Sequence, residues 1–375
     1  MAQRILISVT SDLSTDQRVN RTATTLKEAG YRVLVIGRVL KTSTEVSPKR
    51  YRTLRFKLWA EKGPMFYALY NIRLFWFLLW HHADILMSND LDTLPANFLA
   101  AKLKKIPLVY DSHEYFTGVP ELVNRPKVQR FWKKLESYFL PRVDYAITVN
   151  ESIAKLYKAE YDKEFNIIRN VPLITKPFLN NRETLRKELG LPISKKIIIL
   201  QGAGINIDRG AEELVSAMEY LSDYLLLIVG GGDVILNLKK IVGEKKLKDR
   251  VWFVAKQPIE ILRKYTAASN LGVTLDKSNN INYKFSLPNK LFDYIHAGIP
   301  ILSSDLPELK NIIVHYNIGK ICPDHDIKNI SIMINDMLNA DEQLKLWEAN
   351  TVIAAKELNW DKEKERLLSI FKKIG

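Results

Sequence analysis

The first 37 residues leave this chain little choice of architecture. An apolar run, Ile5 to Val9, leads through the polar loop SDLSTDQRV into an amphipathic segment that stops at Gly30, and a second apolar run, Arg32 to Gly37, follows at once. Two β-type runs separated by one helix length make a βαβ unit, whose strands are parallel because the helix carries the chain back along the sheet. Strands of a parallel sheet are covered on both faces and read as continuous apolar runs. The same signature returns at 84–88 (DILMS), 107–112 (PLVYDS) and 145–150 (YAITVN). After a polar, proline-dotted stretch from Asn170 to Lys196 it starts again at 197–200 (IIIL) and continues through LLLIVGGGD (225–233), VWFVAKQP (251–258) and 270–274. A chain of 375 residues is longer than one core usually serves. The expected class is therefore α/β: a doubly wound parallel-sheet domain over 1–172, a linker at 173–196, a second such domain over 197–355, and a closing helix at 356–375.

The single cysteine, Cys322, permits neither an intramolecular disulfide nor a cysteine metal cluster, which favours a reducing compartment. Met1 runs almost directly into the strand pattern RILISVTS, so no secretory leader is expected and the location reads as cytoplasmic. The net charge is +14, and +10 of it lies before residue 173. Such an excess suits nucleic acid, an anionic membrane surface or anionic small substrates. No helix-turn-helix, RNA-recognition or zinc-finger signature accompanies it, so nucleic acid is not an expected partner. The most apolar run, FYALYNIRLFWFLLW (66–80), carries Asn71 and Arg73 and is too short to span a bilayer. Tyr67, Tyr70, Trp76 and Trp80, with Lys49, Arg50, Arg52, Arg55 and Lys57 upstream, suggest a helix lying on an anionic leaflet. A core helix packed on the sheet is the competing reading, and one helix can serve both.

Open α/β sheets hold ligands outside the carboxyl ends of their strands. Polar clusters stand at those places: Ser11 to Asp16, SNDLDT (88–93) and DSHEY (111–115). His113 and Glu114 are the leading candidates there, whereas Asp12 and Asp16 read first as caps of the helix start. The first loop lacks the glycine fingerprint of dinucleotide folds. Near the C-terminal third, KFSLPNKLFDYIHAGIPILSS places Pro288 at the expected first helical position and ends the helix at Gly298 and Pro300. Lys290 in the first turn and Asp293 three residues on share a face. A cation beside a helix amino end, with a carboxylate one turn deeper, suits phosphate at the mouth and ribose hydroxyls at the acid. A surface Lys–Asp pair has the same spacing. Glycines 230–232 end a strand and let a helix or a ligand approach closely.

In their order, the motifs SDLSTDQRVNR, NDLDTL, YDSHEYF, the DRG at 208–210 and SLPNKLFDYIHAGIP resemble those of the retaining glycosyltransferases of family 4, in the subgroup with a Pro-Asn-Lys donor-site turn. The resemblance covers nearly the whole chain. It implies the GT-B architecture, two Rossmann-like domains facing each other across a cleft, with the C-terminal helix packing back toward the N-terminal domain. It further implies transfer of a hexosyl unit from a nucleotide diphosphate sugar to a glycan or lipid-linked acceptor, with retained anomeric configuration. The pathway implied is cell-surface polysaccharide or glycolipid biosynthesis, with neither metal nor cofactor. Carried over residue by residue, Arg209 and Lys290 meet the donor diphosphate, Asp293 grips the ribose, and His113 lies by the transferred sugar. His113, Arg209 and Lys290 form the implied catalytic set. Gly204, Gly231, Lys256, Ser286, Leu287 and Asn289 complete the donor side; Asp12, Asp16, Asp90 and Glu114 join His113 on the acceptor side. Asp90 and Asp92 are expected to cap a helix rather than bind metal. Phe285 stands where many members keep an acid, which shifts sugar contact to N–H groups near Ser286 and Leu287. Asn206 is near the place of a further family arginine. Two rivals share these motifs: a GT-B sugar-nucleotide epimerase, and a catalytically inactive nucleotide-sugar-binding scaffold.

Overall fold

A computed structural model describes residues 2–14, 16–43, 45–174 and 181–374. They form two compact units: one runs up to Asn170 and takes in the chain again from Lys362, the other is Val171–Asp361. Residues 175–180, inside the stretch expected as a linker, lie outside the described residues, as does Thr15 of the first polar loop.

In the first unit the strands β1 (Arg4–Ser8), β2 (Arg32–Val39), β3 (Arg52–Lys57), β4 (Ile85–Asn89), β5 (Leu108–Ser112), β6 (Tyr145–Thr148) and β7 (Asn166–Ile167) form one parallel sheet in the order β3-β2-β1-β4-β5-β6-β7. Ile5 of β1 lies opposite Val33 of β2 on one side and Ile85 of β4 on the other. Ile5, Leu6 and Ile7 are all fully buried, which is why β1 shows no alternation of apolar and polar residues. The chain winds outward from β1 to β3 and then in the opposite direction from β4. The loops after β1 and β4 therefore part at the topological switch point, where such sheets hold ligands.

Helix Gly63–Trp80 buries Phe66, Tyr70, Leu74 and Leu78, one residue per turn. The Tyr70 hydroxyl donates to the carbonyls of Val9 at 2.6 Å and Ile36 at 3.3 Å. Tyr70 is thus a core residue and not part of an interfacial face, because the i, i+4 stripe that packs on the sheet runs through it. Trp76 and Trp80 lie off that stripe and are 52% and 77% exposed. Among the described residues no helix is long and apolar enough to cross a membrane. Helix Trp360–Ile374 joins the first unit from Lys362 onward. Its Phe371 packs edge-on against Tyr31 with ring centres 6.0 Å apart, and its Glu363 accepts the Arg169 N–H at 3.0 Å.

The second unit holds β8 (Lys196–Gly202), β9 (Tyr224–Gly230), β10 (Val251–Val254), β11 (Leu271–Thr274), β12 (Ile301–Ser304) and β13 (Gly319–Cys322), parallel and in the order β10-β9-β8-β11-β12-β13. Ile198 and Leu200 of β8 enter one apolar cluster, Ile197 and Ile199 the other, so both faces of the sheet are covered. Helix Asn289–Ala297 contributes Leu291, Phe292, Tyr294 and Ile295 to the second cluster. Burying such side chains stabilises by about 1.5–3 kcal/mol each, which pins that helix and its first turn to the sheet. The switch point here lies between β8 and β11. Part of the expected linker is a helix of this unit, Arg182–Leu189. Its Leu185 is buried, and the Arg186 guanidinium donates to the carbonyls of Ala268, Ile193 and Lys195 and to the Asn270 side chain.

Candidate active site

The loops leaving β8 and β11 bring together three charged groups. Asp276, fully buried two residues past β11, has Arg209 Nη1 3.3 Å and Lys290 Nζ 3.5 Å from the same carboxylate oxygen, Oδ1. The Arg209 guanidinium also lies over the Tyr283 ring, 4.0 Å from its centre. Arg209 can reach this point because Gly210 follows it. Gly210 sits at φ +69°, and a Cβ there would stand 2.2 Å from the Leu275 carbonyl, so only glycine lets the two loops touch. Lys290 occupies the first turn of helix Asn289–Ala297, with Pro288 as N-cap, one position ahead of the place expected for it. Burial, and behind it Arg209, pulls the Lys290 amine below its ordinary range, while Asp276 opposes them. The N–H groups of Asn289 and Lys290 form the open amino end of the helix. Asp293, one turn deeper, accepts from Gln201 Nε2 at 2.9 Å, and Gln201 Oε1 accepts from Thr266 at 2.6 Å. Lys290 and Asp293 therefore both address the carboxyl ends of β8 and β11.

The other expected donor-side residues lie around this cluster and beyond it. The Ser286 N–H donates to the Tyr283 carbonyl at 3.2 Å, while among the described residues its hydroxyl is buried with no hydrogen-bond partner; Leu287, which follows it, is half-buried. Gly204 and Gly231 belong to loops after β8 and β9 that are knitted together: the Ile205 N–H donates to the Gly231 carbonyl at 2.8 Å, and the Gly231 N–H to that of Gly202 at 3.2 Å. The neighbouring loop comes closest at Gly230, where a Cβ would stand 1.8 Å from the Gly202 carbonyl oxygen, whereas a Cβ on Gly231 would meet open space. Lys256 is exposed beyond β10, the edge strand, two strands away from β8, and joins no contact with Arg209 or Lys290 among the described residues. Asn289 is exposed at the helix amino end.

In the first unit the same switch-point logic gathers the ends of β1, β4 and β5. His113, just past β5, has Nδ1 3.4 Å from Asp90 Oδ2 and Nε2 3.6 Å from Asp111 Oδ2, with Asn89 Oδ1 3.2 Å from Nε2. Its backbone N–H donates to Asp90 Oδ1 at 2.9 Å. Asp111 is clamped in turn by Arg18, whose Nε and Nη2 donate to its two oxygens at 3.1 and 2.6 Å while Nη1 donates to the Ile168 carbonyl at 2.8 Å. Burial pushes the His113 ring down, but Asp90 and Asp111 outweigh it and lift its pKa to about 9. Burial pushes Asp111 up, but Arg18 and His113 hold it well below the carboxylate range. Asp90 is raised by burial, with His113 opposing. At neutral pH the ring is a cation with both nitrogens as donors, unsuited to nucleophilic attack or to taking a proton.

Asp16 caps helix Gln17–Glu28 by accepting the Val19 N–H at 3.1 Å and also takes the Ser11 hydroxyl at 3.0 Å. Asp12 accepts the Ser14 N–H and the Ser14 and Ser43 hydroxyls at 3.0, 2.6 and 2.9 Å. Asp90 and Asp92 do not cap a helix: Thr93 is the N-cap of helix Leu94–Lys104, which has no side-chain cap bond. Asp92 instead accepts the Thr10 hydroxyl at 2.6 Å, joining the β1 and β4 loops, and burial and Asp90 push its carboxyl up to about 7. The Glu114 side chain is exposed; its carbonyl accepts from Ser112 Oγ at 2.7 Å. Among the described residues no group of three or more His, Cys, Asp or Glu side chains is placed to hold a metal ion. A cavity of about 800 Å³ lined by Lys102, Lys105, Leu108, Arg142 and Tyr145 lies at the amino ends of β5 and β6, the opposite ends from these clusters.

Asp276, Tyr283, Gln201 and Arg18 were not singled out from the sequence. Arg18 lies inside a quoted motif and Asp276 opens a polar loop, but nothing in their spacing shows which cation each would meet.

Residues 181–373, just over half of the chain, match the family model for Glycosyl transferases group 1. The chain belongs to that family. Residues 16–171 match the model for Glycosyltransferase Family 4. It is 24% identical over 234 residues to the D-inositol 3-phosphate glycosyltransferase of Xylanimonas cellulosilytica, covering 59% of this chain and 54% of that one. The matches to curated relatives span between 42% and 64% of those proteins' length. Among solved structures, sucrose-phosphate synthase from Thermosynechococcus elongatus superposes with a TM-score of 0.80 at 18% identity over 99% of each chain. An Anabaena protein in complex with UDP and glucose superposes with a TM-score of 0.76 at 14% identity over 99% of this chain and 100% of that one. These likenesses establish the fold, two Rossmann-like parallel-sheet domains of the GT-B glycosyltransferase class.

Proposed function

We propose that this glycosyltransferase moves a hexosyl unit from a nucleotide diphosphate sugar to a hydroxyl of a glycan or lipid-linked acceptor. Anomeric configuration is retained and no metal takes part. The observation that carries the reading is the convergence of Arg209 and Lys290 beside a helix amino end at the β8/β11 switch point. Two fixed cations and open N–H groups suit a departing diphosphate, which needs charge neutralisation in place before the bond breaks. In the reaction the bond from the anomeric carbon to the diphosphate oxygen breaks, and the acceptor oxygen bonds to that carbon on the same face. The acceptor proton passes to the leaving phosphate. Asp293, with Gln201 beside it, is suited to the donor ribose hydroxyls. His113, held cationic by Asp90 and Asp111, orients the sugar and balances charge near it.

The setting we propose is the cytoplasmic face of a membrane, in the synthesis of cell-surface polysaccharide or glycolipid. The exposed Trp76 and Trp80 and the basic excess before residue 173 support contact with an anionic leaflet. UDP-sugars are the first donors to try, since the Anabaena neighbour holds UDP and glucose. A panel of nucleotide sugars screened by thermal shift tests the reading, because a ligand confined to the folded state raises the melting temperature. At least one is expected to do so and to support transfer. If none stabilises the protein the donor site is misassigned, and stabilisation without turnover on lipid-linked acceptors would point to a binding scaffold.

A further inference from the structure

Asp276 is the feature that the diphosphate reading leaves unexplained. A fully buried carboxylate sits within 3.5 Å of both cations that the donor diphosphate would use. Its backbone carbonyl accepts the Ser304 hydroxyl at 2.7 Å, and its second oxygen faces Thr274 Oγ1 at 3.4 Å, so the strand ends hold it in place. The two cations are not satisfied by it. Both lie on one oxygen at distances longer than charge-assisted hydrogen bonds, and among the described residues Arg209 Nε is buried with no partner. Formally the cluster carries two positive charges against one negative. Without Asp276, Lys290, 11% exposed, would be a buried cation facing Arg209 with no counter-charge, a strongly unfavourable arrangement.

We propose that Asp276 is an internal counter-anion that competes with the diphosphate for Arg209 and Lys290, and so sets how tightly the nucleoside diphosphate product is held. The inference rests on the donor-site reading given above. With the ligand absent, Asp276 orients both cations and offsets part of their charge. With the diphosphate bound, the fixed carboxylate stays and repels it, which weakens product retention and favours release, a step that often limits turnover.

The test is isothermal titration of inorganic pyrophosphate, UDP and GDP into the native chain and three variants. Asp276→Asn raises the net charge of the cluster by one and should tighten binding of the anions by about tenfold or more, as one unit charge a few ångström away demands. Lys290→Met should weaken it by about tenfold. The double variant Asp276→Asn/Lys290→Met restores the native net charge and should bind within about threefold of the native chain. Affinity in folded Asp276→Asn that equals or falls below the native value overturns the inference. Should that variant fail to fold, the double variant decides: affinity as low as that of Lys290→Met overturns it. If pyrophosphate and both nucleotides bind to none of the four proteins, the donor-site reading fails, and this inference with it.

Discussion

Replacing His113 with glutamine removes a cation that two carboxylates hold in place. In the native chain burial alone would favour the neutral imidazole. Asp90 at 3.4 Å from one nitrogen and Asp111 at 3.6 Å from the other reverse this and carry the pKa from an ordinary 6.5 to about 9. The folded ring thus holds its proton more tightly than the unfolded one. Its contribution to stability is complete below pH 6.5 and is lost as pH rises toward 9. Since a tenfold change in proton affinity is worth about 1.4 kcal/mol, the imidazolium contributes about 3 kcal/mol at pH 6. Urea unfolding of native chain and His113→Gln at pH values from 6 to 9.5 measures this directly. The native curve should fall relative to the variant across that window by up to about 3 kcal/mol: distant groups cancel in the difference, while Asp90, without its cation in the variant, also loses stability as pH rises and reduces it. Parallel curves would refute the reasoning, since they would mean that His113 is neutral or that the carboxylates do not act on it.

Lys290→Ala should weaken nucleotide-sugar binding by about 1.5–3 kcal/mol, the range for a hydrogen bond to a charged group, and unchanged affinity in calorimetry would remove this loop from the donor site. Arg18→Met leaves Asp111 buried without its bidentate partner and should destabilise the fold by about 3–5 kcal/mol in denaturant titration. Exchanging both partners, Arg18→Met with Asp111→Leu, should recover part of that loss, since His113 then keeps only Asp90, and a single-variant loss below about 1 kcal/mol would show that the pair does not hold the loop. Liposomes containing anionic lipid should retain the protein at low salt and release it as salt rises, and Trp76→Ser with Trp80→Ser should reduce retention; no retention at low salt removes the membrane proposal.

Much of the fold is legible in the sequence because parallel strands are buried on both faces. Runs such as IIIL at 197–200 then cannot be mistaken for half-exposed strands. Helix Asn289–Ala297 is legible for a different reason: Pro288 and Gly298 are local conformational signals, needing no distant partner. Helix Arg182–Leu189 was hidden within a polar stretch, since its anchor is Arg186, whose four hydrogen-bond acceptors come from Ile193 onward. Tyr70 misled for a related reason. Trp76 and Trp80 advertise an interface, but which ring faces the core depends on the helix's rotation against the sheet.

The same division holds at the candidate site. The sequence alone determines that Lys290 stands in the first turn of a helix with Asp293 one turn deeper, because helical periodicity sets both. It likewise determines that Arg209 precedes a glycine, and that His113 follows a buried strand. Only the tertiary structure decides that Arg209 and Lys290 meet at Asp276, and that His113 lies between Asp90 and Asp111 with Arg18 behind. Those meetings depend on which strands are neighbours: β8 beside β11, and β4 beside β5. Strand order is set by the packing of helices on both faces of each sheet, and charge–charge energies rise steeply only once that packing has brought the groups within a few ångström and excluded water.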